Sequence, residues 1–521
     1  MTPPRKLLVS GLVFLPWLVI FQATLIFAQA SSVLAQTTQP QTGQAPTRVE
    51  EPRGVVSLRV TNQAFDPRAP WQKQNEDTIQ GSALVIRKGW LLTTAEMVRN
   101  ATLIEAGKLG RTPSTPVRLV RVDYELDLAL LRVDSPDFWK DLEALPLAPQ
   151  ALSGGRFLIN RWRSTGRFEQ GTGEVVDVRA GTSRYGNMEI PQLRANTNMG
   201  GLGWAEVLTL DGQVVGIITS QNQEIQVTPS PVLAAFVAAA DHPGWFFAHR
   251  GFTWQRTDHP ALAQALGLRP GGPGVLIPEV LSGGTGAREI RPGDVLLVVN
   301  GYLINNEGQI QHPLYGRVAF TLALNDLPSA KTLPAKVWRN GNVVDINLVR
   351  RRYRDADYRV LPYAFDGPAD YEVLGGVVFQ ELQLDALRAW GKGWTQRAPQ
   401  RLIIEYALNS MAEGNHPEKI VIISQVFPDP STLGYESSAN SMVVRVNGRA
   451  VTSLASLRQA LKSPLEGFHV VETMGGGRGS LVLKADEIPT IRERVGKLYG
   501  LPNSIPVPTK PAPKKPVPTK P

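Results

Sequence analysis

"NTNMGGLGWAEVLTLDGQVVGI", residues 196–217, runs from a glycine-dense turn straight into a hairpin. Gly200, Gly201 and Gly203 allow positive φ and close approach of neighbouring backbone. The strand "VLTL" is followed by Asp211-Gly212, the strongest short-range signal for a two-residue hairpin turn, and then by "QVVGII". Upstream, "GVVSLRV", "GSALVIRKGWLLTT", "VRLVRV", "DLALLRV", "RFLIN" and "GTGEVVDVRA" repeat the pattern of short apolar runs bounded by turn residues. This spacing predicts an all-β barrel or sandwich over residues 54–241.

The character changes downstream. A helix-like "PALAQALGL", a strand "GVLIPEVL" and "IRPGDVLLVVNGYLI" suggest a small α+β module over 246–352. A second module, 358–500, echoes it, since "MVVRVNGRAV" and "SLASLRQAL" resemble "DVLLVVNGYLI" and the residues after it. The stretch "RAPQRLIIEYALNSMAEG", 397–414, is helical by its apolar spacing. The basic run "VRRRYR", 349–354, reads as a solvated junction before it reads as a binding patch.

At the start, Arg5 and Lys6 precede an apolar run from Leu7 to about Ala28, then small residues around Ala30 and Ala35. That order marks an export signal over residues 1–35, and a cleaved leader and an uncleaved single-span anchor both fit. A polar linker occupies 36–53, and a Pro/Lys-rich tail closes the chain at 501–521. The tail lysines Lys510, Lys514, Lys515 and Lys520 account for four of the nine net positive charges, so a nucleic-acid partner is not expected. There is no cysteine, which excludes disulfides, thiolate nucleophiles and Cys-ligated zinc. No pair of histidines has ligand spacing, and "GGPGVLI" and "GGGRG" lack the strand-loop-helix context of a phosphate cradle. No metal or cofactor is expected.

Three ordered motifs resemble the Deg/HtrA family, which combines a trypsin-like double β-barrel with PDZ domains. "GSALVIRKGWLLTTAEMV" is similar to the segment that carries the family's general-base histidine, "VRVDYELDLALLRVD" to the strand with its aspartate, and the opening stretch to its nucleophile loop. The resemblance implies a mostly β fold: a trypsin-like double barrel followed by two α+β PDZ-like domains. The second of these, with "LGGVVFQELQLDAL" and "EKIVIISQVFPDPSTLGYE", resembles that of plant-type Deg proteases.

Carried over residue by residue, the family triad falls on Glu96, Asp127 and Met199, so only the aspartate is kept. A thioether has no proton to lose and forms no acyl ester. A carboxylate with an ordinary pKa of about 4.3 is a poor base toward a hydroxyl at neutral pH. A glutamate close to Asp127 would also raise the pKa of one partner. Thr197 stands where the motif has a glycine that shapes the oxyanion hole. All six histidines, beginning at His242, lie beyond residue 241, so the barrel segment has no imidazole of its own. Thr94 and Ser183 read as strand and turn hydroxyls. His249, at the module junction, could reach back to the barrel in some arrangement, but without a nucleophile it would catalyse nothing of this type.

In the first module the residues matching the PDZ carboxylate-binding loop are Arg250, Gly251, Phe252, Thr253 and Trp254, with Phe252 and Trp254 also readable as core aromatics. In the second, Gly375, Gly376 and Phe379 fit a similar position. The expectation is an exported protein, periplasmic or extracellular, with a degenerate triad. It would bind peptides or unfolded segments, C-termini among them, as a scaffold, chaperone or regulatory subunit in protein quality control. The family implies a trimer, or mixed oligomers with active relatives. The alternative is an active serine-type endopeptidase with a non-standard site.

Overall fold

The structure, a computed structural model, describes residues 53–502 except 109, 113, 164, 221–224, 243, 282, 410–417 and 475–478. The leader or anchor, nearly all of the polar linker and the tail beyond Pro502 lie outside the described residues. Among the described residues no helix is long and apolar enough to cross a membrane.

Strand Val55–Asn62 places Val56, Leu58 and Val60 on one face by its period of two, and it pairs antiparallel with Asp77–Arg87 from Val55↔Leu84 to Asn62↔Asp77. Around this pair grows a seven-stranded sheet in the order Thr115–Pro116, Ala101–Gly107, Val55–Asn62, Asp77–Arg87, Trp90–Thr93, Leu128–Arg132, Arg118–Asp123. Its core joins Val56, Leu58, Val60, Val85, Leu91 and Leu131. Each fully buried side chain of this kind stabilises the fold by about 1.5–3 kcal/mol.

The hairpin at Asp211-Gly212 belongs to a second unit, a closed barrel of six strands: Glu189–Thr197, Ile225–Pro229, Gln213–Ser220, Val207–Leu210, Gly155–Trp162, Phe168–Thr182. Asp211 and Gly212 both have positive φ (48° and 76°), as the tight hairpin turn between Leu210 and Gln213 requires. Closure leaves this sheet no edge strand. Val232, Leu233 and Phe236 of helix Ser230–Asp241 pack into a shared core with Leu84 and Leu130 of the first sheet and Ile217 of the barrel.

The chain continues into a sheet ordered Gln255–Arg256, Val275–Leu276, Val295–Val299, Thr332–Arg339, Asn342–Val349. The last sheet is ordered Tyr371–Leu374, Val377–Glu381, Val421–Val426, Met442–Val446, Phe468–Met474, Ser480–Lys484. The echo between the two is partial. Helix Leu454–Leu461 of the second has in its place, in the first, the hairpin Gln309–His312/Gly316–Ala319 and the 3-10 turn Phe320–Asn325. Within the stretch expected to be helical, Gln400–Asn409 is a helix, and its Leu402 packs on Leu382, Ile420 and Ile422. Gly375 turns the hairpin at positive φ (58°), while Phe379 is a core residue.

One backbone crossing depends on glycine. A Cβ on Gly284 would sit 2.4 Å from the Gly251 Cα and one on Gly251 2.6 Å from the Gly284 carbonyl carbon. Gly284→Ala is therefore expected to lower stability by at least about 1–3 kcal/mol in urea unfolding, the usual range for overpacking. A neutral effect would show that the two strands are free to separate.

Candidate functional site

The loop "DYELD", 123–127, is tied down by its first residue, since Asp123 Oδ1 accepts the N–H groups of Glu125 (3.1 Å) and Leu126 (3.2 Å). The loop ends at Asp127 in the left-handed region (φ 53°), a conformation aspartate tolerates better than most residues. Asp127 Oδ1 accepts the Glu96 N–H at 2.8 Å, while Oδ2 is buried with no hydrogen-bond partner. Burial first, and the charge of Glu96 among the lesser causes, push Asp127 up to about 8.

Folded Asp127 thus keeps its proton where the unfolded residue, ordinarily near 4, has lost it. The folded state binds the extra proton, so stability falls as pH rises from about 4 to about 8 and is flat beyond. Asp127→Asn suits the same φ and cannot ionise. Its unfolding free energy should gain on wild type by up to about 1.4 kcal/mol per pH unit across that window, read from denaturation at several pH values. A pH-independent difference would contradict the buried, protonated carboxyl.

Glu96 sits on the one-turn helix Ala95–Val98 and is itself buried. Its carboxylate accepts the Tyr185 hydroxyl and pairs with Arg99 (3.0 Å) and Arg184 (3.7 Å). The group at the base position is thus neutralised in an ion-pair cluster. Thr94 Oγ1 is buried without a partner, and Ser183 Oγ donates to the Tyr124 carbonyl at 3.0 Å.

Met199 lies on the barrel's own core, its Sδ against Gly171, where an added Cβ would come within 2.8 Å. No hydrogen bond or ion pair among the described residues joins it to Glu96 or Asp127. Its backbone N–H, the donor an oxyanion would need, goes to Thr197 Oγ1 (3.1 Å), which in turn donates to the Thr172 carbonyl (2.7 Å). The next two carbonyls are fixed as well. Gly200 and Gly201 accept from buried Arg161 at 3.0 and 2.6 Å, and Arg161 is held by Glu169 (2.8 Å) and Glu206 (3.6 Å). "NMGG" is therefore wired into the barrel through hydroxyl and guanidinium contacts, with the 199 amide already used.

The segment joining the two downstream modules builds onto the same loop. Arg352 holds Asp123 through two 2.8 Å bonds, and the Tyr358 hydroxyl donates to Glu125 at 3.1 Å. Asp366 accepts from the Tyr124 hydroxyl (2.5 Å) and the Asn100 N–H (2.8 Å). Tyr363 and Phe365 pack on Ala95, Tyr124 and Tyr185. The basic run at 349–354 is thus not a solvated junction: Arg350 is buried among carbonyl oxygens and Arg352 is paired, because the modules fold against the barrel. His249 does reach the barrel, but at Glu125 (3.3 Å), where its Nδ1 accepts the Tyr353 N–H.

The five loop residues of the first module are also absorbed by the fold. The N–H groups of Gly251 and Thr253 donate to the carbonyls of Thr285 (3.0 Å) and Glu279 (2.9 Å), so the expected carboxylate-capturing loop is instead a bridged, paired segment. Phe252 is fully buried and stacks on Phe320, Trp254 meets the same ring edge-on, and Arg250 pairs with Glu189 at 2.8 Å. Sequence alone missed Arg161, Glu125, Arg352 and Asp366. The basic run pointed at one of them, and nothing local marked the rest. Among the described residues no group of carboxylates and histidines could hold a metal ion.

Residues 81–217 match the model of a trypsin-like peptidase domain, and residues 360–505 that of a PDZ domain. Among curated proteins, the chain is similar to protease Do-like 2, chloroplastic, of Arabidopsis thaliana, 24% identical over 80% of this chain and 69% of the relative. It is also similar to the putative protease Do-like 3, mitochondrial, of the same plant, 24% identical over 74% and 68%. Among solved structures, an HtrA-type protease AlgW with decapeptide aligns at 18% identity and a TM-score of 0.44 over 58% of this chain and 97% of that one.

Proposed function

Because this chain belongs to the Deg/HtrA family, with a trypsin-like peptidase domain and a PDZ domain, we propose that it has kept the family's architecture and given up its chemistry. It acts as an exported, non-cleaving scaffold, chaperone or regulatory subunit that binds peptides or unfolded segments. The observation that carries this reading is the fate of the nucleophile loop. The residue at the attacking position has no hydroxyl, and its amide, the oxyanion donor, is taken by Thr197. Glu96, paired with Arg99 and Arg184 and accepting the Tyr185 hydroxyl, supports it further, because its carboxylate already has partners other than a nucleophile.

Peptide binding in the first module is assigned to the outer edge of its sheet. Strand Gln255–Arg256 is exposed and, among the described residues, has a strand partner on one side only, which suits addition of an extended chain by main-chain hydrogen bonds. Titrating fluorescein-labelled, unfolded casein with the protein should give saturable anisotropy, with the casein recovered uncut. Absence of saturation would overturn the binding role, and fragments would overturn the non-cleaving one.

A further inference from the structure

Helix Gln400–Asn409 is apolar on both sides. Its inner side, with Leu402, Ile403 and Tyr406, packs on Leu382, Ile420 and Ile422. On the outer side Ile404 and Leu408, one turn apart, are 50% and 77% exposed. Arg401 lies on that same outer side, a turn before Ile404, and its guanidinium donates to Met474 Sδ. Met474, at the end of strand Phe468–Met474, is itself 38% exposed. Apolar side chains scattered over a surface are ordinary, but neighbours at helical spacing joined by a third from another element form a patch. A helix apolar all round is one that is normally covered all round.

The free charge around this patch has one sign. Lys392, Arg397 and Arg401 are exposed, and none has an ion pair among the described residues. Helices Leu384–Arg388, Trp394–Arg397 and Gln400–Asn409 carry two carboxylates, and both are spent: Asp385 pairs with Arg388 and Glu405 with Arg359, each at 3.5 Å. Arg397 folds back toward Lys392, since a Cβ on Gly391 would lie 3.9 Å from its guanidinium. Trp394, half-buried, meets Tyr406 edge-on at 6.0 Å and ties this basic turn to the helix.

Exposed aliphatic side chains rimmed by unpaired cations match a surface that is negative outside and apolar beneath. We infer that this face docks on an anionic phospholipid surface, with Ile404, Leu408 and Met474 at the boundary of headgroups and acyl chains and Lys392, Arg397 and Arg401 on the phosphates. Long basic side chains suit that depth, because their stems stay with the apolar layer while their charged ends reach outward. A second copy of the chain is a worse occupant, as it would set these cations against their own counterparts. A folded partner would need a recess for Leu408 as well as carboxylates, whereas a fluid bilayer needs no matching shape. The proposal rests neither on the fate of the triad nor on peptide binding by the first module.

Because the chain has no cysteine, Leu408→Cys can be labelled alone with an environment-sensitive nitrobenzoxadiazole dye, and Leu303→Cys, exposed on the first module, serves as the reference site. The full chain would be titrated with vesicles of equimolar phosphatidylglycerol and phosphatidylcholine, and with phosphatidylcholine alone. The apolar run Leu7–Ala28 is common to every sample, so it does not distinguish them. The dye at 408 should brighten and shift to the blue on the anionic vesicles only, and the dye at 303 on neither. Each basic side chain at such a surface is worth about a fivefold change in affinity, so Lys392→Gln with Arg397→Gln should raise the lipid needed at least roughly twentyfold. High salt should do the same to the chain with both cations in place, which decides the matter should that double variant fail to fold. No response at 408, an equal response at 303 or on neutral vesicles, or a response indifferent to both salt and the two substitutions would overturn the docking. A response at 408 to unfolded casein and none to vesicles would overturn it too, assigning the face to a protein partner.

Discussion

A chain carrying Glu96→His and Met199→Ser together is expected to hydrolyse unfolded casein at least about 10²-fold more slowly than the same chain with Thr197→Gly added, although both missing side chains have been returned. The reason lies in the backbone rather than in the triad. The 199 N–H is donated to Thr197 Oγ1, and Thr197 is anchored in turn on the Thr172 carbonyl. A new serine at 199 would therefore attack a carbonyl whose developing oxyanion has lost a donor. One such donor is worth about 10²–10³ in rate, or roughly 2.7–4 kcal/mol. Adding Thr197→Gly removes the competing hydroxyl and returns the flexibility of the turn. The triple variant should react with a fluorophosphonate at least about 10²-fold faster than the double. Equal rates for double and triple variants would show that Thr197 is not what closes the site.

The second large effect concerns Arg352. Its two bonds to Asp123 join the inter-module segment to the loop that carries Asp127, and Asp123 is almost wholly buried while Arg352 is one-third exposed. Removing the guanidinium leaves a buried carboxylate held by the N–H groups of Glu125 and Leu126, with Arg121 as a nearby cation that does not replace the two lost bonds. Arg352→Ala should lower the unfolding free energy by about 3 kcal/mol in urea, the scale on which broken buried pairs act. Asp123→Asn in the same chain should recover a good part of that loss, since the orphaned charge is then gone. A loss below about 1 kcal/mol would place the pair among ordinary surface ion pairs and free the segment from its anchoring role.

Local signals made part of this legible. The Asp-Gly turn, the period-two strands and the three ordered motifs located the barrel and the residues at the triad positions, because each is written within about twenty neighbouring residues. Thr197 is a misfit for a glycine, yet its capture of the 199 amide depends on Thr172, which the shifted register of the paired strands Phe168–Thr182 and Glu189–Thr197 sets beside it. Arg250 to Trp254 kept two readings in sequence. Gly284 and Phe320 decide between them, since they bury the segment and use its amides. The contacts of Arg352, Tyr358 and Asp366 with the loop at 123–127 span well over 200 residues of chain, and no periodicity encodes them.

The claim at the centre is that the barrel no longer performs acyl transfer, and active-site labelling tests it most directly. Purified protein would be incubated with a fluorophosphonate serine probe and, in parallel, with unfolded casein. The account predicts no labelling above a blank and no fragments. Labelling or turnover that a single substitution within residues 54–241 abolishes would contradict it.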